Sequence, residues 1–135
     1  MSKKYYLKLD GVRGESREPR HYEEMELSSL YINTGRAGAS GGAGKAQLAD
    51  ITVTKRTDTT SPVLWVASTT GQSFKSGVIT IEDIGGFGTT VRYQTLSMTD
   101  IMIQSFRGVY DSDEVTLNIG GFKMQEGKFA SHVEP

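Results

Sequence analysis

A mostly β fold is what the sequence predicts: a bent antiparallel β-barrel or sandwich with one short α-helix at about residues 61–70. Three observations predict it. Nearly every apolar segment alternates with period two and stops at a turn residue within about ten positions. Two strands change parity midway beside small residues, which marks a bulge or a bend. A single stretch carries both a helix start and a helix stop.

Tyr5, Leu7 and Leu9 share one face of the first strand, which ends at Gly11. In the next, Met25 and Leu27 are odd-numbered whereas Leu30 and Ile32 are even, so the apolar face stays inward only if a residue is inserted near Ser28-Ser29. Ala46 to Lys55 alternates as a third strand. Ser61-Pro62 then reads as a helix start, with the serine hydroxyl capping free N–H groups and proline at a position that loses no hydrogen bond. Gly71 is the matching stop. Val63, Leu64, Val66 and Ala67 give that helix an apolar side suited to covering an open end or seam. The remaining alternations are Ile79 and Ile81; Val91, Tyr93 and Thr95; Ile101 and Ile103; and Val115, Leu117 and Ile119, which brings the count to seven strands. A second parity change, from Ile119 to Phe122 and Met124, falls on Gly120-Gly121, where the backbone is free to bulge or bend.

Two connections are long for a β domain: residues 11–22, which are charged, and residues 34–45, which are nearly free of side chains. Residues 126–135 read as a polar tail, and the whole chain reads as one domain.

Composition removes several classes of chemistry. Fifteen Lys and Arg against 16 Asp and Glu leave a charge of -1, which disfavours nucleic acid and anionic membranes as partners. With no cysteine, disulfides, Cys-ligated metals and thiol catalysis drop out. His21 and His132 are the two imidazoles, too few for a multi-histidine metal site. No cofactor, metal or catalytic residue is expected. The N-terminal residues Met1 to Lys8 lack the apolar stretch of a signal peptide, so synthesis in the cytoplasm and export by a signal-independent route are expected.

The remaining motifs have ordinary readings. Gly44-Lys45 suggests a phosphate loop, but Ala39 lies five positions before Gly44, Ala46 replaces the hydroxyl that would hold magnesium, and a strand follows. Asp111, Asp113 and Glu114 read as a solvated turn, as do Glu82-Asp83. His21, beside Glu23 and Glu24, reads as a loop histidine with an ordinary hydrogen bond.

A family resemblance rests on Leu9-Asp10-Gly11-Val12-Arg13-Gly14-Glu15-Ser16, then His21 and Glu24, Gly41-Gly42-Ala43-Gly44-Lys45, and the run Asp50 to Asp58 leading into Ser61-Pro62-Val63-Leu64 and Ala67. In order and spacing these resemble the hemolysin-coregulated protein family, the tube subunits of bacterial type VI secretion systems. The resemblance implies hexameric rings stacking head-to-tail into a conduit that carries effector proteins in its lumen. It also implies a contractile sheath, a baseplate and a spike as partners, with the subunit cytoplasmic before firing and extracellular or in a target cell afterwards. Six globules about 35 Å across surround a hole about one globule wide, room for a small folded domain.

Residues 34–45, with Gly41, Gly42, Gly44 and Lys45, are the first candidates for ring-to-ring contact, and Arg13 and Glu15 are the second. Ser29 and Tyr31 are the candidates for effector contact. Tyr31 departs from the family: within Leu30-Tyr31-Ile32 it occupies the place where a small polar residue is common. A phage tail tube protein, or less closely a small β-sandwich binding module such as a lectin, are the alternative readings. An enzyme comes last.

Overall fold

The computed structural model describes residues 2–36, 47–85 and 90–128. Six strands close into an antiparallel barrel in the order β1-β2-β3-β6-β5-β4, with β1 at Ser2–Leu9, β2 at Met25–Arg36, β3 at Gln47–Arg56, β4 at Ser73–Ile84, β5 at Thr90–Val109 and β6 at Ser112–Lys128. One helix, α1, spans Ser61–Thr70, and a turn of 3-10 helix covers Pro19–His21. The fold class is as the alternation predicts, and closure of the barrel leaves none of these six strands as a free edge.

The inserted residue in β2 lies where the parity change requires it. Leu27 pairs with Lys55 and Ser29 with Thr54, a register shift of one that keeps Leu27 buried and turns Leu30 and Ile32 against the same core. That core fills the barrel. Leu7, Leu9, Ile51, Val53, Ile79, Leu96, Ile101 and Leu117 are essentially inaccessible, and Leu64 and Ala67 of α1 join them.

Six described strands stand where seven were expected, because residues 91–95 and 101–103 belong to the single 20-residue strand β5. Asp100, at φ 54°, reverses the parity there without ending the strand. Leu96 and Met98 are buried on one side of it and Ile101 and Ile103 on the other, so the inward face near residue 95 is the even-numbered one. β5 keeps one register with β6 from Arg92 to Ile103, so the Gly120-Gly121 site is a bend and not a bulge. Close approach explains the glycines: a Cβ on Gly121 would lie 2.6 Å from the Thr99 hydroxyl oxygen. β6 continues through Lys128, so residues 126–128 of the expected tail are strand.

The helix bounds match the expectation, and its stop is chemically as read. Gly71 adopts the left-handed conformation at φ 75° and its N–H donates to the Ala67 carbonyl. The start differs. Thr60 occupies the cap position without a side-chain cap bond, and the Ser61 hydroxyl serves a buried polar cluster instead.

Candidate functional site

Among the described residues, the outside of the barrel divides into a covered half and a bare half. Residues 11–24 cover the outer faces of β1 and β4, where Tyr6, Thr80 and Glu82 are buried. This segment is held by its own backbone: the Gly14 N–H donates to the Glu23 carbonyl (2.7 Å), Ser16 to Glu24 (3.0 Å) and Glu23 to Ser16 (2.8 Å). The approach requires glycine, since a Cβ on Gly14 would sit 2.4 Å from the Glu24 carbonyl carbon and oxygen.

His21 lies at the centre of this cover and is no ordinary loop histidine. Its Nε2 is 2.5 Å from Glu82 Oε2, its Nδ1 is 3.0 Å from Glu24 Oε1, and its ring stacks on Tyr6 with centroids 3.9 Å apart. Glu82, expected in a solvated turn, is buried because β4 carries it under the cover. Burial, together with the charges of Glu26, Glu82, Glu18 and Glu24, pushes the Tyr6 hydroxyl up to about 12. Tyr6 therefore stays neutral in the fold after an exposed tyrosine would ionise. The sign follows: the Tyr6 contribution to stability is intact below pH 10 and is lost as pH rises from 10 to about 12. Tyr6→Phe is expected to remove that alkaline loss, which urea midpoints on either side of the window will measure.

A second polar cluster ties β3, α1 and β6 together. The Lys55 ammonium, 1% exposed, is 2.9 Å from Asp58 Oδ1 and 3.1 Å from Asp113 Oδ2, and it donates to the Arg56 carbonyl and the Ser61 hydroxyl oxygen. Ser61 donates to Asp113 Oδ2 and accepts from the Asp58 N–H. Thr57 donates to Asp113 Oδ1. Asp113 is thus buried and bonded, a correction to the solvated turn expected there, whereas Asp111 beside it is exposed. Burial alone raises the Asp58 carboxyl, but hydrogen bonds from Thr60 and Lys55 outweigh it and hold the group below its ordinary range.

The bare half is formed by the outer faces of β2, β3 and β6. Tyr31 is 68% exposed, flanked along its strand by exposed Ser29 and Asn33. Across the sheet Tyr31 pairs with Thr52, Thr52 with Thr116 and Thr116 with Ser105, forming a row of hydroxyls. Thr52 and Thr116 hydrogen-bond to each other at 3.2 Å, and Asn118 donates to Asp50 Oδ1 at 2.9 Å. Glu114, at one end, is 3.8 Å from the Arg107 guanidinium. The face is therefore polar, and its Asp50 and Glu114 carboxylates have partners.

Arg13 is exposed on the cover and pairs with Glu23 at 3.2 Å. Glu15 accepts from the Thr59 N–H at 3.0 Å and lines an open groove of about 920 Å³ with Glu26, Arg56, Asp58 and Asp111. Gly41, Gly42, Gly44 and Lys45 lie outside the described residues. Trp65 is 61% exposed and stacks on Phe106 with ring centroids 6.5 Å apart; Val63 and Val66 are also exposed.

The described residues thus form a closed barrel with a filled core, one polar sheet face and an exposed helix without charged side chains. The family model described as "Type VI secretion system effector, Hcp" matches residues 6–125. The chain belongs to the Hcp family, tube proteins of the type VI secretion system. It is 27% identical over 121 residues to Protein hcp1 of Pseudomonas aeruginosa, covering 84% of this chain and 74% of that one. The crystal structure of Hcp1 from Salmonella typhimurium aligns with a TM-score of 0.71 at 20% identity, over 96% of both chains. Hcp1 from the E. coli EAEC 042 pathovar aligns with a TM-score of 0.71 at 18% identity, over 95% of this chain and 98% of that one. At these identities the two structures show the shared barrel fold.

Proposed function

We propose that this chain is the repeating unit of a secretion tube. Six copies form a ring, rings stack into a conduit, and effector proteins travel in the lumen against the bare sheet face. The observation that carries the reading is the character of that face: a broad, hydroxyl-lined surface whose Asp50 and Glu114 carboxylates are partnered, with one large amphipathic side chain, Tyr31, standing out from it. Such a wall wets easily and holds a passing protein weakly, while a tyrosine offers contact area at low entropic cost.

Ring closure needs two different patches on each subunit, and the exposed apolar residues of α1, Val63, Trp65 and Val66, supply one that a neighbour would cover. Ring-to-ring contact is assigned to residues 34–45, with Gly41, Gly42, Gly44 and Lys45, and to Arg13 and Glu15 on the cover segment. Sheath, baseplate and spike proteins are the other partners of this reading, with the subunit cytoplasmic before firing and exported afterwards.

Tyr31→Ala tests the lumen assignment. Because the side chain is exposed and its removal leaves the core intact, rings are expected to form normally while effector protein co-purifying with them changes by about ten-fold, the scale of one interface anchor. Loss of the hexamer on size exclusion would instead place Tyr31 between subunits.

A further inference from the structure

We infer that residues 11–24 form a proton-held cover, closed on the barrel by a doubly protonated His21 that bridges Glu24 and Glu82. The inference starts from donor counting. A neutral imidazole has one N–H and one lone pair, whereas ionised carboxylates only accept. Here both ring nitrogens face carboxylate oxygens, at 3.0 and 2.5 Å, in a site where His21 is 7% and Glu82 5% exposed. With both carboxylates ionised, a ring carrying two N–H groups is the state that satisfies both contacts, since a buried lone pair aimed at a carboxylate is costly. Tyr6, stacked at 3.9 Å with an interplanar angle of 11°, presents its π face to that cation.

The charged groups around the ring favour the same state. Glu82 approaches from β4. Glu26 of β2 stands opposite Tyr6 of β1, and Lys4 of β1 stands opposite Glu82. The cover itself contributes Glu18, whose carbonyl accepts the His21 N–H, together with Arg20 and Glu24. Four carboxylates against two basic side chains leave the surroundings negative.

The two carboxylates come from different places in the fold, Glu24 from the end of the cover and Glu82 from β4. The bridge therefore joins cover to barrel, and the proton it holds is part of closure. Releasing the proton as pH rises withdraws support from the closed state; strong acid does the same by protonating the carboxylates. The exposed ion pair of Arg13 and Glu23 rides on this cover, so its position follows the proton. This holds whether or not the cover meets another ring.

The test uses full-length protein with ¹⁵N-labelled histidine and His132→Gln, which leaves one imidazole, titrated from about pH 5.5 to 9, the range over which histidine changes charge. Hydrogen exchange of the 11–24 peptide is followed in parallel, with the β3 peptide as the reference for intact barrel. Both ring nitrogens are expected to be protonated while the cover is protected. Loss of the second ring proton should coincide with a drop in cover protection of about ten-fold relative to β3. Glu82→Gln should move both events together to lower pH with β3 unchanged. Protection of the cover that persists through loss of the second ring proton, or a singly protonated ring in the closed state, would overturn the inference.

Discussion

Replacing Lys55 with methionine is expected to cost roughly 3–5 kcal/mol of folding stability. The ammonium is 1% exposed and sits between Asp58 and Asp113, of which Asp113 is 2% exposed. Methionine fills most of the same volume but leaves Asp113 as an unpaired buried charge, and the Ser61 and Thr57 hydroxyls cannot neutralise it. The double exchange Lys55→Met with Asp113→Leu should recover much of the loss, because it removes the stranded charge along with its partner. Equilibrium urea unfolding of the two single variants and the double variant measures the coupling. A single-variant change within about 0.5 kcal/mol, the range of an ordinary surface substitution, would show that the pair is solvated and contributes little.

Gly14→Ala is expected to unseat the cover segment at a cost of roughly 2–3 kcal/mol, from three backbone hydrogen bonds at about 1 kcal/mol each. The added Cβ meets the carbonyl group of Glu24 at 2.4 Å, and backbone cannot swing aside as a flexible side chain can. Moving residue 24 away breaks the Gly14, Ser16 and Glu23 hydrogen bonds and draws Glu24 off His21. Hydrogen exchange should show residues 11–24 losing protection while β3 and β6 keep theirs, because the barrel core does not depend on the cover. Uniform destabilisation of every strand would mean that the cover is part of the folding unit itself.

Much of the fold was legible because alternation reports directly on which side of a strand is dry. The bulge at Ser28-Ser29 followed from parity alone, as did the helix bounds from Pro62 and Gly71. β5 was misread as two strands because its parity reverses at Asp100, and a left-handed residue inside a continuous strand looks like a turn when pairing partners are unknown.

The Lys55 cluster was missed for a different reason: Asp113 was assigned to a solvated turn by type when its strand position said otherwise, and Lys55 was not singled out. Lys55 continues the inward series Ile51 and Val53. Asp113 begins the inward series Val115, Leu117 and Ile119. The two are direct partners across the β3–β6 pair. Reading charges by parity would have placed both inside. The His21 bridge carried no such signal, since Glu82 is 61 residues away and comes under the cover only when the barrel closes. Gly41, Gly42 and Gly44, proposed for ring-to-ring contact because a stretch nearly free of side chains allows close backbone approach, lie outside the described residues.

Tube assembly is tested most directly by negative-stain electron microscopy of the purified protein, without sheath or baseplate present. Six-fold rings with an open centre about as wide as one subunit are the expected result, from the size of a 135-residue globule. Compact monomers persisting at high protein concentration would contradict it.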